Sequence, residues 1–313
     1  MSVTRSSYRA KIGAYVALTK PRIIELLLVT TVPTMIVADK GLPSGWLILA
    51  TVLGGSLAAG GANAINMDVD RDIDRLMERT KGRPLVTGAV SPRAALTFAI
   101  ALEVVAFAFL WTTVNLLSAA LAVAACLFYV FVYTLWLKRS STNNIVIGGA
   151  AGAAPVLIGW SAVTGSLAWA PVILFAIIFY WTPPHFWALA IRYRDDYAAA
   201  DVPMLPAVAS LKQTSQRILL YTLLLWALTI VFSPVAGMGH LYLGSAIVLG
   251  GIFTFYALRL RSLPDPSLTL SAAGGAAEVE IRATAMRLFT WSITYITLLF
   301  GVMALDQILR SGW

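Results

Sequence analysis

Asn66, Asp70 and Asp74 stand four residues apart in the stretch NAINMDVDRDIDRLMERTKGRPL, which leaves an apolar segment. On a helix this spacing stacks side chains along one stripe, so an amide and two carboxylates point the same way. Carboxylates at the end of a membrane span are costly to place and mark a functional site. Oxygen donors on one stripe, followed at once by Arg79, Lys81 and Arg83, suit a divalent cation such as Mg2+ that holds a polyphosphate. Asn63 extends the same stripe, whereas Asp68 and Asp72 fall on the opposite side. There, with Arg71, Arg75 and Arg79, they make the local ion pairs of a solvated helix end.

A second polar stretch reads WTPPHFWALAIRYRDDYAAADVPMLP. Pro183 and Pro184 predict a break or bend within an apolar segment, which membrane depth tolerates only where backbone is buried or lines a cavity. His185 follows directly, and Arg192, Arg194, Asp195 and Asp196 arrive at the segment's end with Lys212 beyond. Trp181, Trp187 and Tyr193 admit a plainer account as interfacial belt aromatics around an ordinary charge cluster. Lying on the same face as the first stretch, the segment favours a joint metal–diphosphate site.

The elements that position these residues are membrane helices. Hydrophobic residues make up 59% of the 313 and charged residues 12%, and the mean hydropathy of +0.79 lies outside the soluble range. Nine apolar stretches approach or exceed the ~20 residues a spanning helix needs: 23–38, 45–65, 93–112, 116–137, 143–163, 167–190, 216–235, 241–259 and 286–306. The first is short, and its helix is expected to start earlier, near Pro21. Placing the N-terminus inside puts 21 of the 23 lysines and arginines on one face, with only Lys40 and Arg310 opposite. Under the positive-inside rule this predicts an all-α, polytopic transmembrane bundle of nine helices, N-terminus cytoplasmic and C-terminus outside. The net charge of +8 then reads as topology and anion handling, and without a basic soluble domain it excludes nucleic-acid binding.

Residues 1–20 lack the apolar core of a secretory signal and read as a cytoplasmic lead-in rather than a mitochondrial presequence. A bacterial inner (plasma) membrane is the expected location, with 1–313 forming one domain. Cys126 is read as a small packing residue. The polar loops, about 66–92 and 191–215, hold eight of the fifteen acids and follow the second and sixth spans, which hints at a duplicated four-helix unit. Small residues crowd the second span (GGSLAAGGANA) and the fifth (IGGAAGAAP), which lets helices approach closely. The loop at 262–284 reads as flexible and carries no functional pattern.

Asn66-x-x-x-Asp70-x-x-x-Asp74, followed by Arg79-Thr80-Lys81-Gly82-Arg83-Pro84, resembles the first aspartate-rich motif of the UbiA superfamily of intramembrane prenyltransferases. Leu18-Thr19-Lys20-Pro21-Arg22, Pro183-Pro184-His185-Phe186-Trp187-Ala188-Leu189, Tyr193-Arg194-Asp195-Asp196-Tyr197 and Asp201-Val202-Pro203-Met204-Leu205-Pro206 resemble its haem-modifying branch. The likeness runs from about residue 15 to 305. It departs from the quinone and chlorophyll branches in two places: Met67 follows Asn66 where they carry aspartate, and Ile191 stands where their second motif begins.

The resemblance implies transfer of a farnesyl group from farnesyl diphosphate to the 2-vinyl group of haem B. Haem B is a substrate here, not a cofactor. It implies Mg2+ on Asn66, Asp70, Asp74 and Asp195, and a diphosphate clamp of Lys20, Arg22, Arg79, Lys81, Arg83 and Arg192. His185 is placed on the haem acceptor side, as iron ligand or proton-transfer group, against the plainer role of a satisfied hydrogen-bonding histidine. Phe179, Tyr180, Phe186 and Trp187 are candidates to line a cavity for the allylic cation. Glu25 is expected to orient the clamp, Glu103 to bond between helices, and His240 to be a solvated loop residue. Haem A synthase or oxidase assembly proteins are implied partners beside the lipid bilayer. Two rival functions are prenyl transfer to a quinone-type acceptor, which leaves His185 idle, and ion-coupled transport. The latter usually places ionisable residues at the bilayer midplane rather than at one face.

Overall fold

A computed structural model describes residues 2–264 and 273–312; the side chains of 2–7, 22–28, 273 and 274 are not described, so the expectations for Arg22 and Glu25 lie outside the described residues. Every element among them is helical. The chain opens with α1 (Ser2–Leu18), α2 (Pro21–Asp39), α3 (Gly45–Val69), α4 (Arg71–Leu76) and α5 (Pro92–Thr113). Next comes α6 (Leu116–Leu127), which runs into a π-helical stretch (Phe128–Leu137) and a last turn, α7 (Lys138–Ser140). The second half holds α8 (Asn144–Thr164), α9 (Trp169–Arg192), α10 (Arg194–Ala199), α11 (Leu205–Val208), α12 (Leu211–Ala236), α13 (His240–Arg261) and α14 (Ala273–Ser311).

Local sequence sets many of the boundaries. Ser44, Ser91 and Asn115 accept from backbone N–H groups three residues on, and Ser210 and Gln213 form a reciprocal capping box. Gly165 and Gly237 end their helices at positive φ. Pro21 opens α2, where the short first span was expected to begin. Helix α14 already starts at Ala273, so much of the stretch expected to be a flexible loop is the first turns of the last helix.

Eight helices among the described residues are long and apolar enough to cross a bilayer, and α2 contributes a shorter apolar segment, Val29–Asp39. The result is a polytopic helical bundle in two groups of four. Helices α3, α5, α6 and α8 pack on one another, α9, α12, α13 and α14 do the same, and α2 touches α3, α8 and α14 where the groups meet. Each group therefore opens with a helix that leads into one of the two polar loops. Close approach rests on the small residues, as expected. A Cβ on Gly61 of α3 would lie 2.6 Å from Glu103 Oε1 of α5, and one on Gly149 of α8 would lie 3.0 Å from Thr182 of α9.

At the end of the bundle away from the polar loops, the buried Asp306 of α14 accepts from Gly239 N (2.6 Å) and Tyr242 N (3.2 Å). It caps α13 from a neighbouring helix and matches the positive end of that helix dipole. Asp306→Ala strips both buried N–H groups of their acceptor. It is expected to lower stability by about 2 kcal/mol, read from denaturant unfolding in micelles, while prenyl transfer in the folded fraction is unchanged. His240, at the start of α13, is exposed, as expected.

Candidate active site

The stripe survives in three dimensions because helical phase continues through the junction of α3 and α4. Asp70 N bonds Asn66 O at 3.0 Å, and Asp74 N bonds Asp70 O at 2.8 Å. Asn66, Asp70 and Asp74 are all buried, with 3%, 0% and 2% exposure. Carboxylates so enclosed need countercharge. Lys138 pairs with Asp70 Oδ2, and Arg83 reaches Asp74 Oδ2 at 2.5 Å. Lys20 Nζ donates to Asn66 Oδ1 at 2.8 Å, while Asn66 Nδ2 donates to Asp70 Oδ2 at 2.7 Å. Burial, reinforced by the Arg83 and Lys138 cations, lowers Lys20 to about 7 against the opposing pull of Asp70 and Asp74. Amide, acids and cations thus form one electrostatic unit.

Each cation has an element that places it. Leu18, fully buried beside Ala64, Met67, Leu85 and Ala95, anchors the end of α1, and Asn63 Nδ2 bonds Thr19 O at 3.3 Å. The chain then turns through Lys20 at φ 52° and delivers the ammonium to Asn66. Arg83 arrives on the loop after α4, where Thr80 Oγ1 bonds Asp74 O at 2.9 Å.

Lys138 comes from an element the sequence pattern did not suggest. Through the π-helical stretch, Thr134 Oγ1 bonds Tyr129 O five residues back at 2.8 Å and accepts from Asn66 Nδ2 at 3.1 Å. π-helical turns recur at functional sites because they re-aim side chains out of α register. One turn on, Lys138 meets Asp70, while Arg139 bonds Val69 O (3.1 Å) and both oxygens of Asp72 (2.6 and 2.8 Å). Asp72, expected to pair within its own helix, is thus tied to another span. That guanidinium holds its carboxyl well below the usual range. Asp68 does pair locally, with Arg71 at 3.4 Å. Along the chain nothing in the spacing of Thr134, Lys138 and Arg139 marks them as partners of the acid stripe.

The second polar loop divides differently from expectation. Asp195, expected as the fourth metal ligand, is not brought to the stripe. Its carboxylate is 73% exposed and pairs with Arg194 (3.4 Å) and Arg282 of α14 (3.2 Å). Its neighbour Asp196 is the acid that faces the first loop, accepting from Arg79 N at 3.4 Å. The Arg79 and Arg192 guanidinium groups lie 5.7 and 5.6 Å from the centre of the Tyr193 ring. Lys81 is drawn away, paired with Glu78 on the exposed edge of the loop.

Pro183 and Pro184 do not break α9, which is continuous from Trp169 to Arg192. Both prolines are buried within the bundle. Trp181 and Trp187, weighed as belt aromatics, are buried at 3% and 0%. Trp181 Nε1 donates to Ser292 O at 2.8 Å, and Trp187 packs edge-on against Tyr221 of α12, which Tyr180 also meets. Phe186 is exposed, and Phe179 stacks on Phe175. His185 points at α14, with Nδ1 2.7 Å from Ser292 Oγ, and stacks on Trp181 and Phe289. Cys126 is buried, and Glu103 Oε1 lies against Gly61 at the approach of α3 and α5.

Among the described residues no three histidine, cysteine or acidic side chains converge, so a metal at this stripe would have Asp70, Asp74 and the Asn66 amide as its protein donors. Mg2+ fits that set, since it takes one or two carboxylates and completes its shell with water and phosphate oxygens. Asp70 Oδ1 is buried without a hydrogen-bond partner, with the Arg139 guanidinium 3.8 Å away.

A polytopic helical bundle around a buried acid stripe ringed by cations is an arrangement suited to a membrane-embedded enzyme that handles anions. The UbiA prenyltransferase family model matches residues 27–293, and the chain belongs to that family. The protohaem IX farnesyltransferase of Parafrankia sp. (strain EAN1pec) is 53% identical over 307 residues, covering 98% of this chain and 93% of that one. That of Streptomyces avermitilis is 52% identical, covering 97% and 96%. Among solved structures, a digeranylgeranylglyceryl phosphate synthase aligns with a TM-score of 0.74 at 16% identity, over 96% of this chain and 99% of that one. A UbiA homologue from Archaeoglobus fulgidus bound to GPP and Mg2+ aligns at 0.61 and 16%, over 90% and 99%. At such identities the likeness is one of fold. The chain is a multi-pass membrane prenyltransferase.

Proposed function

We propose that this enzyme transfers the farnesyl group of farnesyl diphosphate to the 2-vinyl group of haem B, with addition of water, forming the hydroxyethylfarnesyl chain of haem O and releasing diphosphate for haem A and terminal oxidase biogenesis. The names of its half-identical relatives support the substrates, and one observation carries the chemistry: Lys20, Arg83 and Lys138 converge on the buried Asn66–Asp70–Asp74 stripe. When bound, Mg2+ supplies charge neutralisation for the departing diphosphate. The chain's own residues supply the rest. Asn66, Asp70 and Asp74 hold the cation, and Lys20, Arg83 and Lys138 are placed to exchange those oxygens for diphosphate oxygens as the anion arrives. Arg79 and Arg192, ranged about Tyr193, form the outer wall of the clamp, with Asp196 linking the two loops. Trp187, Tyr180 and Tyr221 offer aromatic faces to the allylic cation away from water. His185 stands on the acceptor side.

Incubating the purified protein with haem B, labelled farnesyl diphosphate and Mg2+ should yield a tetrapyrrole with the mass of haem O. Transfer of label to a quinone precursor instead would replace the acceptor and keep the site. Arg83→Ala should raise the farnesyl diphosphate KM roughly tenfold, as loss of one charged hydrogen bond implies, whereas Lys81→Ala should leave it near wild type.

The same proposal sets nine spans, N-terminus inside and C-terminus out, in the inner membrane, with the site facing the cytoplasm. In a Cys126→Ala background, Ser166→Cys should be labelled from outside intact cells and Thr87→Cys only after permeabilisation. The reverse pattern would invert the topology.

A further inference from the structure

Trp181 and His185 of α9 and Phe289 and Ser292 of α14 form one interlocked group across the two helices. Ser292 Oγ lies 2.6 Å from Phe289 O and 2.7 Å from His185 Nδ1. A hydroxyl carries one proton. Two oxygens 2.6 Å apart need a proton between them, so that proton belongs to the bond with Phe289 O. Ser292 Oγ can then only accept from His185, which makes Nδ1 the protonated nitrogen. The half-buried imidazole, stacked on two aromatic rings and partnered by a hydroxyl rather than a carboxylate, is neutral. Its Nε2 is therefore a bare lone pair.

We propose that Ser292 is a positioning residue that locks His185 as the Nδ1–H tautomer and so presents Nε2 as a lone-pair donor to the acceptor substrate. Three further contacts hold the arrangement. Trp181 stacks on the imidazole at 4.3 Å and 20°, and Phe289 at 4.6 Å and 28°. One face of a five-membered ring has no room for two such partners, so they take opposite faces and resist a ring flip. Trp181 Nε1 donates to Ser292 O at 2.8 Å and pins the serine backbone. This is the logic by which a second hydrogen bond sets which imidazole nitrogen is available to a metal or a proton. The functional half of the proposal rests on His185 serving the acceptor side. A lone pair there serves equally to ligate the tetrapyrrole iron or to accept a proton from the water that adds to the second vinyl carbon, left cationic when the first bonds the farnesyl group.

The chain has two histidines, so 15N-histidine labelling of the full-length protein in micelles resolves the question directly. His185 should give one protonated (Nδ1) and one unprotonated (Nε2) ring nitrogen, while exposed His240 averages between tautomers. Ser292→Ala should erase that preference and lower haem O turnover about tenfold, the lower range for loss of an imidazole's orienting partner. The farnesyl diphosphate KM should not move, and Ser292→Thr should restore both tautomer and rate. A protonated Nε2 in the wild type, or an unchanged His185 tautomer in Ser292→Ala, overturns the proposal. If the tautomer is lost but haem O forms at the wild-type rate, Ser292 still positions the ring and the acceptor-side assignment of His185 fails. A shifted Soret band of added haem B in Ser292→Ala identifies iron ligation, and an unshifted band with slow turnover identifies proton acceptance.

Discussion

Asp70→Asn is expected to abolish farnesyl transfer, by about 100-fold or more, as removal of a group that acts on transition-state charge implies. The amide keeps the shape of the side chain and its bond to Asn66 but loses the charge that would hold Mg2+ beneath the diphosphate. The structure adds a complication that spacing alone does not show. Asp70 is fully buried and is the counterion of Lys138, with Arg139 3.8 Å from its other oxygen. Removing one partner of a buried pair strands the other, at about 3–5 kcal/mol, so inactivity of this single variant does not separate lost chemistry from lost folding. The double variant Asp70→Asn with Lys138→Met removes both charges. It should recover the wild-type unfolding midpoint in micelles and remain inactive at any Mg2+ concentration. Wild-type turnover in Asp70→Asn with Mg2+ present would remove the metal assignment from this stripe, and Asp74→Asn, which strands Arg83, provides an independent repeat.

His185→Ala is expected to lose haem O formation by about 100-fold, the lower range for a positioned proton-transfer group, with farnesyl diphosphate binding retained. The separation follows from where the ring sits. Lys20, Arg83 and Lys138 gather on the α3–α4 stripe, whereas His185 faces α14 through Ser292 and Phe289. The donor site should therefore not sense the loss. Truncating a ring packed between two aromatics leaves a void, so His185→Gln, which retains volume and a hydrogen bond to Ser292, is the cleaner companion. Equilibrium binding of a non-hydrolysable farnesyl diphosphate analogue gives the donor side, and mass analysis of the tetrapyrrole gives the acceptor side. Haem O formation at the wild-type rate in both variants would leave His185 a structural residue.

Much of this site was legible along the chain because it is local. Four-residue spacing on a continuing helix is enough to align Asn66, Asp70 and Asp74, and the run through Arg79 and Arg83 follows within one loop. The contributions that escaped are those made across the bundle. Lys138 and Arg139 follow an unremarkable apolar stretch, and only the π-helical widening of Phe128–Leu137 and its packing beside α3 turn them onto Asp70 and Asp72. Neighbouring residues of the second loop were separated for the same reason. Asp195 and Asp196 are indistinguishable in composition, and one residue on the short helix α10 is a rotation of about 100°. That rotation sends Asp195 to Arg282 of α14 and Asp196 to the first loop.

The proline pair shows the opposite error. In isolation Pro183-Pro184 reads as a break or bend, since each ring removes a helical N–H, yet α9 continues through them with both rings buried in the bundle.

The sequence by itself determined the membrane bundle, its charge asymmetry, the acid stripe and the family, because hydropathy, side-chain spacing and motif order are properties of the linear chain. The tertiary structure decided which cation meets which acid, that Asp196 rather than Asp195 faces the first loop, and that Ser292 is the partner of His185. Those partners lie 68, 117 and 107 residues apart. Pairing at such separations is set by how whole helices pack and rotate against one another, which no local pattern encodes.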